Sequence, residues 1–220
     1  MTKTILKTII ALTAIFNLAL TGSARQRYPE NPQIIENSLG VIVLGRNYGK
    51  QDFIHIYNRD GSIWYKFTYY YDERSGQFPY KNSNFKPFAF HPDYFVLALK
   101  CVRKVRDQYE VIVNEESGLK KYIKANDSAL AFEPWSQHVL TVFSVDFNPA
   151  KNPLLKTRQG QRRAIPPKDT FFHPVKVEGN WLMIEWVIKR RTSAEKEKYA
   201  YGWVKWRDKK KLLVELSYLC

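Results

Sequence analysis

The chain has 220 residues, a formal net charge of +14 and 15% aromatic residues. This length allows one domain or two small domains. Tyr, Phe and Trp favour strands, and helical periodicity is scarce beyond the N-terminal segment, so a β-rich protein is expected. The 2 cysteines and 4 histidines are too widely spaced to suggest a zinc site.

The N-terminal segment has the pattern of an export signal. Lys3 and Lys7 precede a mostly apolar run over residues 9–20, and small residues at 22–24 place a cleavage site after Ala24. The run is shorter than the ~20 residues of a spanning helix, so we expect cleavage rather than anchoring, and loss of the two lysines lowers the net charge from +14 to +12. We predict a signal peptide over 1–24 and a mature chain without a stable membrane span, exported to the periplasm or cell surface of a bacterium.

The first part of the mature chain predicts a strand and a β-hairpin. Residues 41–44 are all aliphatic and predict a buried strand. Residues 53–57 and 63–67 flank Asn58-Arg59-Asp60-Gly61-Ser62. Gly61 accepts a positive φ at little cost, so this segment predicts a tight turn between two strands.

The middle of the chain predicts three further strands, over residues 94–105, 109–113 and 120–124, with polar turns between them. Residues 126–130 predict a helical or 3₁₀ turn with Asn126 or Asp127 as its cap. Residues 133–170 contain five prolines and a basic run, which is typical of a connection between modules.

One strand pattern occurs twice. Near the C-terminus, Val-Lys-Val-Glu-Gly-Asn-Trp-Leu-Met-Ile-Glu-Trp (175–186) is followed by Gly-Trp-Val-Lys-Trp-Arg (202–207). In the middle of the chain, residues 105–113 are followed by residues 117–124. Each copy predicts a strand, a polar turn, a second strand that opens near an aromatic residue, and a third strand after a glycine.

These copies resemble bacterial Src-homology-3-like (SH3-like) domains, which are small five-stranded barrels, and the chain as a whole resembles exported Bacteroidetes-type proteins. The matching residues are 177–184 and Gly202-Trp203-Val204. The resemblance implies that Trp181 packs into a barrel core and that Trp203 covers the barrel end. The middle copy departs from the family in having Leu119 in place of the Trp, and the C-terminal copy inserts residues 189–200.

We therefore predict an all-β fold of two small SH3-like barrels in tandem with an N-terminal β-hairpin extension. The predicted domains are the signal peptide (1–24), an N-terminal SH3-like β-domain with the hairpin (25–145), a connecting segment (146–169) and a C-terminal SH3-like barrel (170–220).

The cysteines and histidines leave structural roles open. Cys101 and Cys220 can form a disulfide in an oxidising compartment, or Cys101 can remain a buried free thiol. Phe-His-Pro occurs at 90–92 and at 172–174, out of register in the repeat, which favours a structural role at the start of a strand. We predict no metal, no cofactor and no catalytic residues, because no pair of carboxylates or nucleophile motif stands out.

Basic and aromatic residues supply the predicted binding surface. The basic residues are Arg158, Arg162, Arg163, Lys168, Lys189, Arg190, Arg191, Lys205, Arg207, Lys209, Lys210 and Lys211. Such runs are usually solvated surface, but they also attract anions over a distance. Export argues against nucleic acid and favours anionic envelope polymers. Alternation in the Gly202 strand puts Trp203 on one face and Val204 and Trp206 on the other.

Three functions follow from these observations, and the oligomeric state stays open. The first is a non-enzymatic binding module for a cell-wall glycan, either a peptidoglycan-type glycopeptide or an anionic glycan, with Trp203, Trp206, Lys205 and Arg207 as contacts. The second is an interaction or scaffold protein that docks another exported protein through edge strands or residues 189–200. The third is a hydrolase.

Overall fold

The computed structural model describes residues 33–50, 53–68, 82–189 and 196–219. Nearly all regular structure in these residues is β-strand, which confirms the all-β prediction. The predicted signal peptide and Cys220 lie outside the described residues. Cys101 is a buried free cysteine, and burial raises the pKa of its thiol to about 11.

The elements are numbered in chain order. The first eight strands are β1 (Gly40–Leu44), β2 (Ile54–Tyr57), β3 (Ile63–Phe67), β4 (Ala89–His91), β5 (Val96–Val105), β6 (Gln108–Asn114), β7 (Leu119–Lys124) and β8 (Leu130–Pro134). The others are β9 (Ser144–Asp146), β10 (His173–Glu178), β11 (Trp181–Lys189), β12 (Lys198–Lys205), β13 (Arg207–Asp208), β14 (Lys211–Leu212) and β15 (Glu215–Ser217). The helix α1 (Trp135–His138) follows β8, and 3₁₀ turns lie at Tyr48–Lys50 and Pro92–Tyr94. No helix in the described ranges combines the length and apolarity needed to cross a bilayer.

The N-terminal half forms one antiparallel sheet in the order β3-β2-β7-β6-β5-β1-β8, and β4 pairs with the start of β5. The predicted hairpin is confirmed as β2 and β3, with Gly61 at φ 87 and the Asp60 carboxylate accepting the Ser62 N–H at 3.0 Å. This hairpin extends the sheet because Tyr57 pairs with Tyr122 of β7.

The C-terminal half contains the antiparallel sheet β10-β11-β12 and the two-stranded pairs β9–β15 and β13–β14. An isolated bridge between Val145 and Phe172 connects β9 to the segment that enters β10. Leu155 exchanges two backbone hydrogen bonds of 2.9 Å with Trp203, so the predicted connecting segment runs beside β12. Lys189 pairs with Lys198, which makes the flanks of the predicted insertion an extension of the β11–β12 hairpin.

The two halves repeat one set of strand pairings. β8 pairs with β1, β1 with β5, and β5, β6 and β7 follow as a meander. In the second half β15 pairs with β9, β9 contacts the approach to β10, and β10, β11 and β12 follow as a meander. The first meander turn has a positive φ at its first residue in both copies, Arg106 (φ 53) and Gly179 (φ 61). Neither copy closes into a barrel among the described strands, so the two predicted barrels stay a proposal.

The buried residues form two hydrophobic clusters. One lies under the N-terminal sheet and contains Ile56, Leu99 and Val111. The other joins both halves, since Val41 of β1 and Trp135 of α1 belong to the same cluster as Ile184, Trp206 and many other residues of the C-terminal half. The predicted domain boundaries stay a prediction, but residues on both sides of 146–169 bury their side chains in this shared cluster.

Candidate functional site

The four predicted contact residues are divided between two environments. Trp203 is half-buried and Lys205 exposed, and both point outward from β12. Trp206 has no exposed surface, and its indole N–H donates to the Gly179 carbonyl at 3.0 Å. The Arg207 guanidinium lies 4.7 Å from the centre of the Trp206 ring, and its Nε donates to the Asn180 side-chain oxygen at 3.0 Å. Trp206 is therefore a core residue and is not part of the surface described below.

Strand alternation places Trp181 on the same outer face. Leu182, Ile184 and Trp186 of β11 are buried, so their neighbours in sequence point away from the core. Trp181 is half-buried and directly opposite Lys205 of β12, whose Nζ lies 5.5 Å from the centre of the Trp181 ring. The resemblance implied a core position for Trp181, but Leu182 occupies that position instead. The charged residue Glu185, which shares its face with Trp181, is the signal in the sequence that could have placed it.

The segment from Leu154 to Arg158, which runs beside β12, brings a second cation over Trp203. A Cβ at Gly202 would come within 2.6 Å of a Leu154 methyl carbon and 3.2 Å of the Leu155 carbonyl oxygen. The glycine thus lets the segment approach β12, where Leu155 bonds to Trp203. Further along this segment, the Arg158 guanidinium lies 5.7 Å from the centre of the Trp203 ring.

A cleft of about 330 Å³ opens between this segment and β11. Its lining residues are Thr157, Arg158, Gln159 and Trp181. The cleft thus has an aromatic side chain on one wall and a guanidinium with two polar side chains on the other. We call the cleft, Trp181, Trp203, Lys205 and Arg158 together the tryptophan face.

The rim of the tryptophan face is positively charged. Lys176 and Arg158 both pair with the Glu178 carboxylate, at 2.6 and 2.9 Å. The Lys176 hydrogen bond, followed by the Arg158 and Lys176 charges, holds the pKa of Glu178 below its usual value. Lys176 and Arg158 therefore share one carboxylate, and Lys205 over Trp181 adds a third positive charge, so the rim keeps an excess of positive charge.

The far end of the same sheet face is aromatic and less charged. Register places Tyr201 opposite Glu185 and Tyr199 opposite Val187. Tyr201 hydrogen-bonds to Glu185, which raises the pKa of the tyrosine. Tyr199 and Tyr201 are exposed.

A separate polar network lies in the interior beside α1. His138 is 2% exposed, and its Nδ1 and Nε2 lie 2.8 Å from the Glu133 carboxylate and 2.8 Å from the Tyr218 hydroxyl. Burial, and to a lesser extent the Glu133 charge, raises the pKa of Tyr218. This network ties the end of the chain to β8 and α1. Within the described ranges, no three His, Cys, Asp or Glu side chains cluster as a metal would require.

The comparisons with known proteins assign no relative. No family model, no curated protein and no solved structure matches this chain.

Proposed function

We propose that the chain is an exported, non-enzymatic binding module that holds an anionic glycan of the bacterial envelope on the tryptophan face. The observation that carries this proposal is the pair of outward tryptophans, each with a cation over its ring, beside a cleft of about 330 Å³. We further propose that the two repeated halves are SH3-like units. The corresponding strand orders β8-β1-β5-β6-β7 and β15-β9-β10-β11-β12 support that proposal, although β9 and β10 are joined only by the Val145–Phe172 bridge.

The chemistry of the rings and cations favours this ligand class. A Lys or Arg side chain that rests on an aromatic ring is held in place by cation–π attraction. Such a cation loses less conformational freedom when it binds an anion than a freely rotating one does. The tryptophan edges and the cleft wall then offer apolar surface to the C–H groups of a sugar ring. An anionic sugar can use both features at once.

The organisation of the basic residues also argues against a purely solvated surface. Nine cation–ring pairs occur among the described residues. These cations lie 4.7–5.7 Å from the ring centres, so each rests against an aromatic side chain.

A second candidate function is the docking of another exported protein. It is favoured by exposed apolar side chains of the β10-β11-β12 sheet, namely Val175, Ile188 and Tyr199. A partner that covered these side chains would bury apolar area instead of pairing charges, so its binding would resist added salt.

The test is a binding measurement with polygalacturonate, a uronate polymer, and with neutral dextran as the control polymer. The double variant Trp203→Ala/Lys205→Gln removes one ring and one cation from the tryptophan face. The matched control Lys151→Gln/Lys209→Gln removes two exposed lysines outside that face. We expect the wild type and the control to bind polygalacturonate and the face variant to bind at least tenfold more weakly. Equal binding by all three proteins would remove the tryptophan face from the account.

A further inference from the structure

Three aromatic rings follow one another along the outer side of the β2 segment. Ile54 and Ile56 are buried, so Phe53, His55 and Tyr57 point to the opposite face. The ring centres are 6.3 Å apart from Phe53 to His55 and 6.2 Å apart from His55 to Tyr57. The rings form a continuous ladder at the sheet surface.

Lysines from both neighbouring strands cover the two ends of this ladder. The Lys66 Nζ, from β3, lies 4.7 Å from the centre of the Phe53 ring. The Lys124 Nζ, from β7, lies 4.8 Å from the centre of the Tyr57 ring. Within the ranges that the structure describes, neither lysine forms a salt bridge with a carboxylate.

The Glu110 carboxylate, which lies two strands from the ladder in the same sheet, is already engaged. Tyr122 lies opposite Tyr57 in β2 and opposite Glu110 in β6. The Glu110 carboxylate accepts hydrogen bonds from Arg103 Nε at 2.8 Å and from the Tyr122 hydroxyl at 3.0 Å. The Arg103 bond holds the pKa of Glu110 below its usual value, so this group stays ionised and paired. Glu110 is therefore not available to pair with Lys66 or Lys124.

We propose that Phe53, His55, Tyr57, Lys66 and Lys124, which we call the ladder face, form a second binding surface for an anionic polysaccharide. The positions of the lysines argue for this occupant over single-stranded nucleic acid. Bases bind such platforms by stacking on ring faces, and here ammonium groups cover the rings at both ends. A uronate or sulfate group can reach those ammonium groups without displacing them.

The repeat places one lysine of each surface at an equivalent position. Gln108 opens β6 opposite Lys124, just as Trp181 opens β11 opposite Lys205. Lys124 of the ladder face is therefore the counterpart of Lys205 of the tryptophan face. Two surfaces on one chain allow a long polymer to bind at both, and such linkage raises the apparent affinity without new contacts. The ligand class rests on the proposed function, but the location of the second surface does not.

The experiment compares four proteins by their binding to long-chain polygalacturonate. These are the wild type, the ladder variant Lys66→Gln/Lys124→Gln, the variant Trp203→Ala/Lys205→Gln, and the control Lys151→Gln/Lys209→Gln. We expect each surface variant to bind at least tenfold more weakly than the wild type, because each loses the benefit of two-point attachment. The control, which loses as much charge as the ladder variant, should change by less than about twofold.

The outcomes separate the two proposals. A ladder variant that binds like the control overturns the second surface and leaves the tryptophan face to be judged by its own variant. Weaker binding by the ladder variant alone supports the ladder face and overturns the tryptophan face as a binding site. Absence of wild-type binding overturns both. A single-stranded oligonucleotide serves as a further probe. If the wild type binds it more tightly than polygalacturonate and the ladder variant loses that binding, the polysaccharide is overturned as the occupant.

Discussion

Replacement of the two C-terminal tryptophans should separate folding from binding. Trp206 has no exposed surface and donates its indole N–H to the Gly179 carbonyl. Truncation of a buried Trp to Ala costs about 3–5 kcal/mol, part of which reflects a carbonyl that loses its donor. Trp203 is half-buried on the outer face, so Trp203→Ala should cost about 1 kcal/mol or less of stability.

Urea unfolding followed by far-UV circular dichroism measures this difference. With a slope near 2 kcal/mol per molar, Trp206→Ala should lower the unfolding midpoint by roughly 1.5–2.5 M. Trp203→Ala should unfold close to the wild type and yet bind polygalacturonate more weakly. Equal midpoints for the two variants would refute the assignment of Trp206 to the core and of Trp203 to the surface.

Three further substitutions test particular contacts by their effect on unfolding. Tyr218→Phe should destabilise the fold by about 1–3 kcal/mol, because buried His138 loses a hydrogen-bond partner. Burial, followed by the negative charge of Asp146 on the paired strand, raises the pKa of Glu215. The ionised Glu215 therefore costs stability above its folded-state pKa, and this cost is lost as the pH falls below that value. Glu215→Gln should thus raise the free energy of unfolding by a few tenths to about 1 kcal/mol at pH 7, and this gain should shrink on acidification. A gain that does not change with pH would contradict the prediction. In Gly40→Ala the new Cβ would lie 2.1 Å from a backbone oxygen of β8, so thermal unfolding should shift down by several degrees or more, and an unchanged midpoint would contradict the β1–β8 pairing.

Local signals in the sequence predicted the strands well. The Asp-Gly turn at 60–61 marked the β2–β3 hairpin because only a few residues accept a positive φ there. The repeated pattern likewise marked the first hairpin of both meanders, since the turns at 106–107 and 179–180 lie within the copied segments. In these elements, the contacts that determine the structure are close in sequence.

The same local signals could not predict which distant strands pair with each other. β9 is three residues long and lies just before the predicted connection, and its partner β15 begins at residue 215. The β1–β8 pairing also spans most of the N-terminal half. Nothing in a short apolar run specifies which distant strand it pairs with, because the pairing is decided by how the whole sheet buries its faces.

The candidate site was predicted in part. Alternation correctly separated Trp203 from Trp206, but it did not tell which of the two faces the core. The position of Trp181 was wrong because the aromatic residue after the turn was assumed to fill the interior, where the structure places Leu182. The cations over Trp203 and Trp181 come from a neighbouring segment and a neighbouring strand, so no local pattern could have revealed them.

The dependence of polygalacturonate affinity on salt shows whether the cations of the tryptophan face hold the ligand. Exposed cations that bind an anionic polymer are screened as the ionic strength rises. The affinity of the wild type should therefore fall steeply between about 0.05 and about 0.5 M NaCl, and the fall should be shallower for Trp203→Ala/Lys205→Gln. An affinity that stays constant over this range would contradict binding through the cations that lie over Trp181 and Trp203.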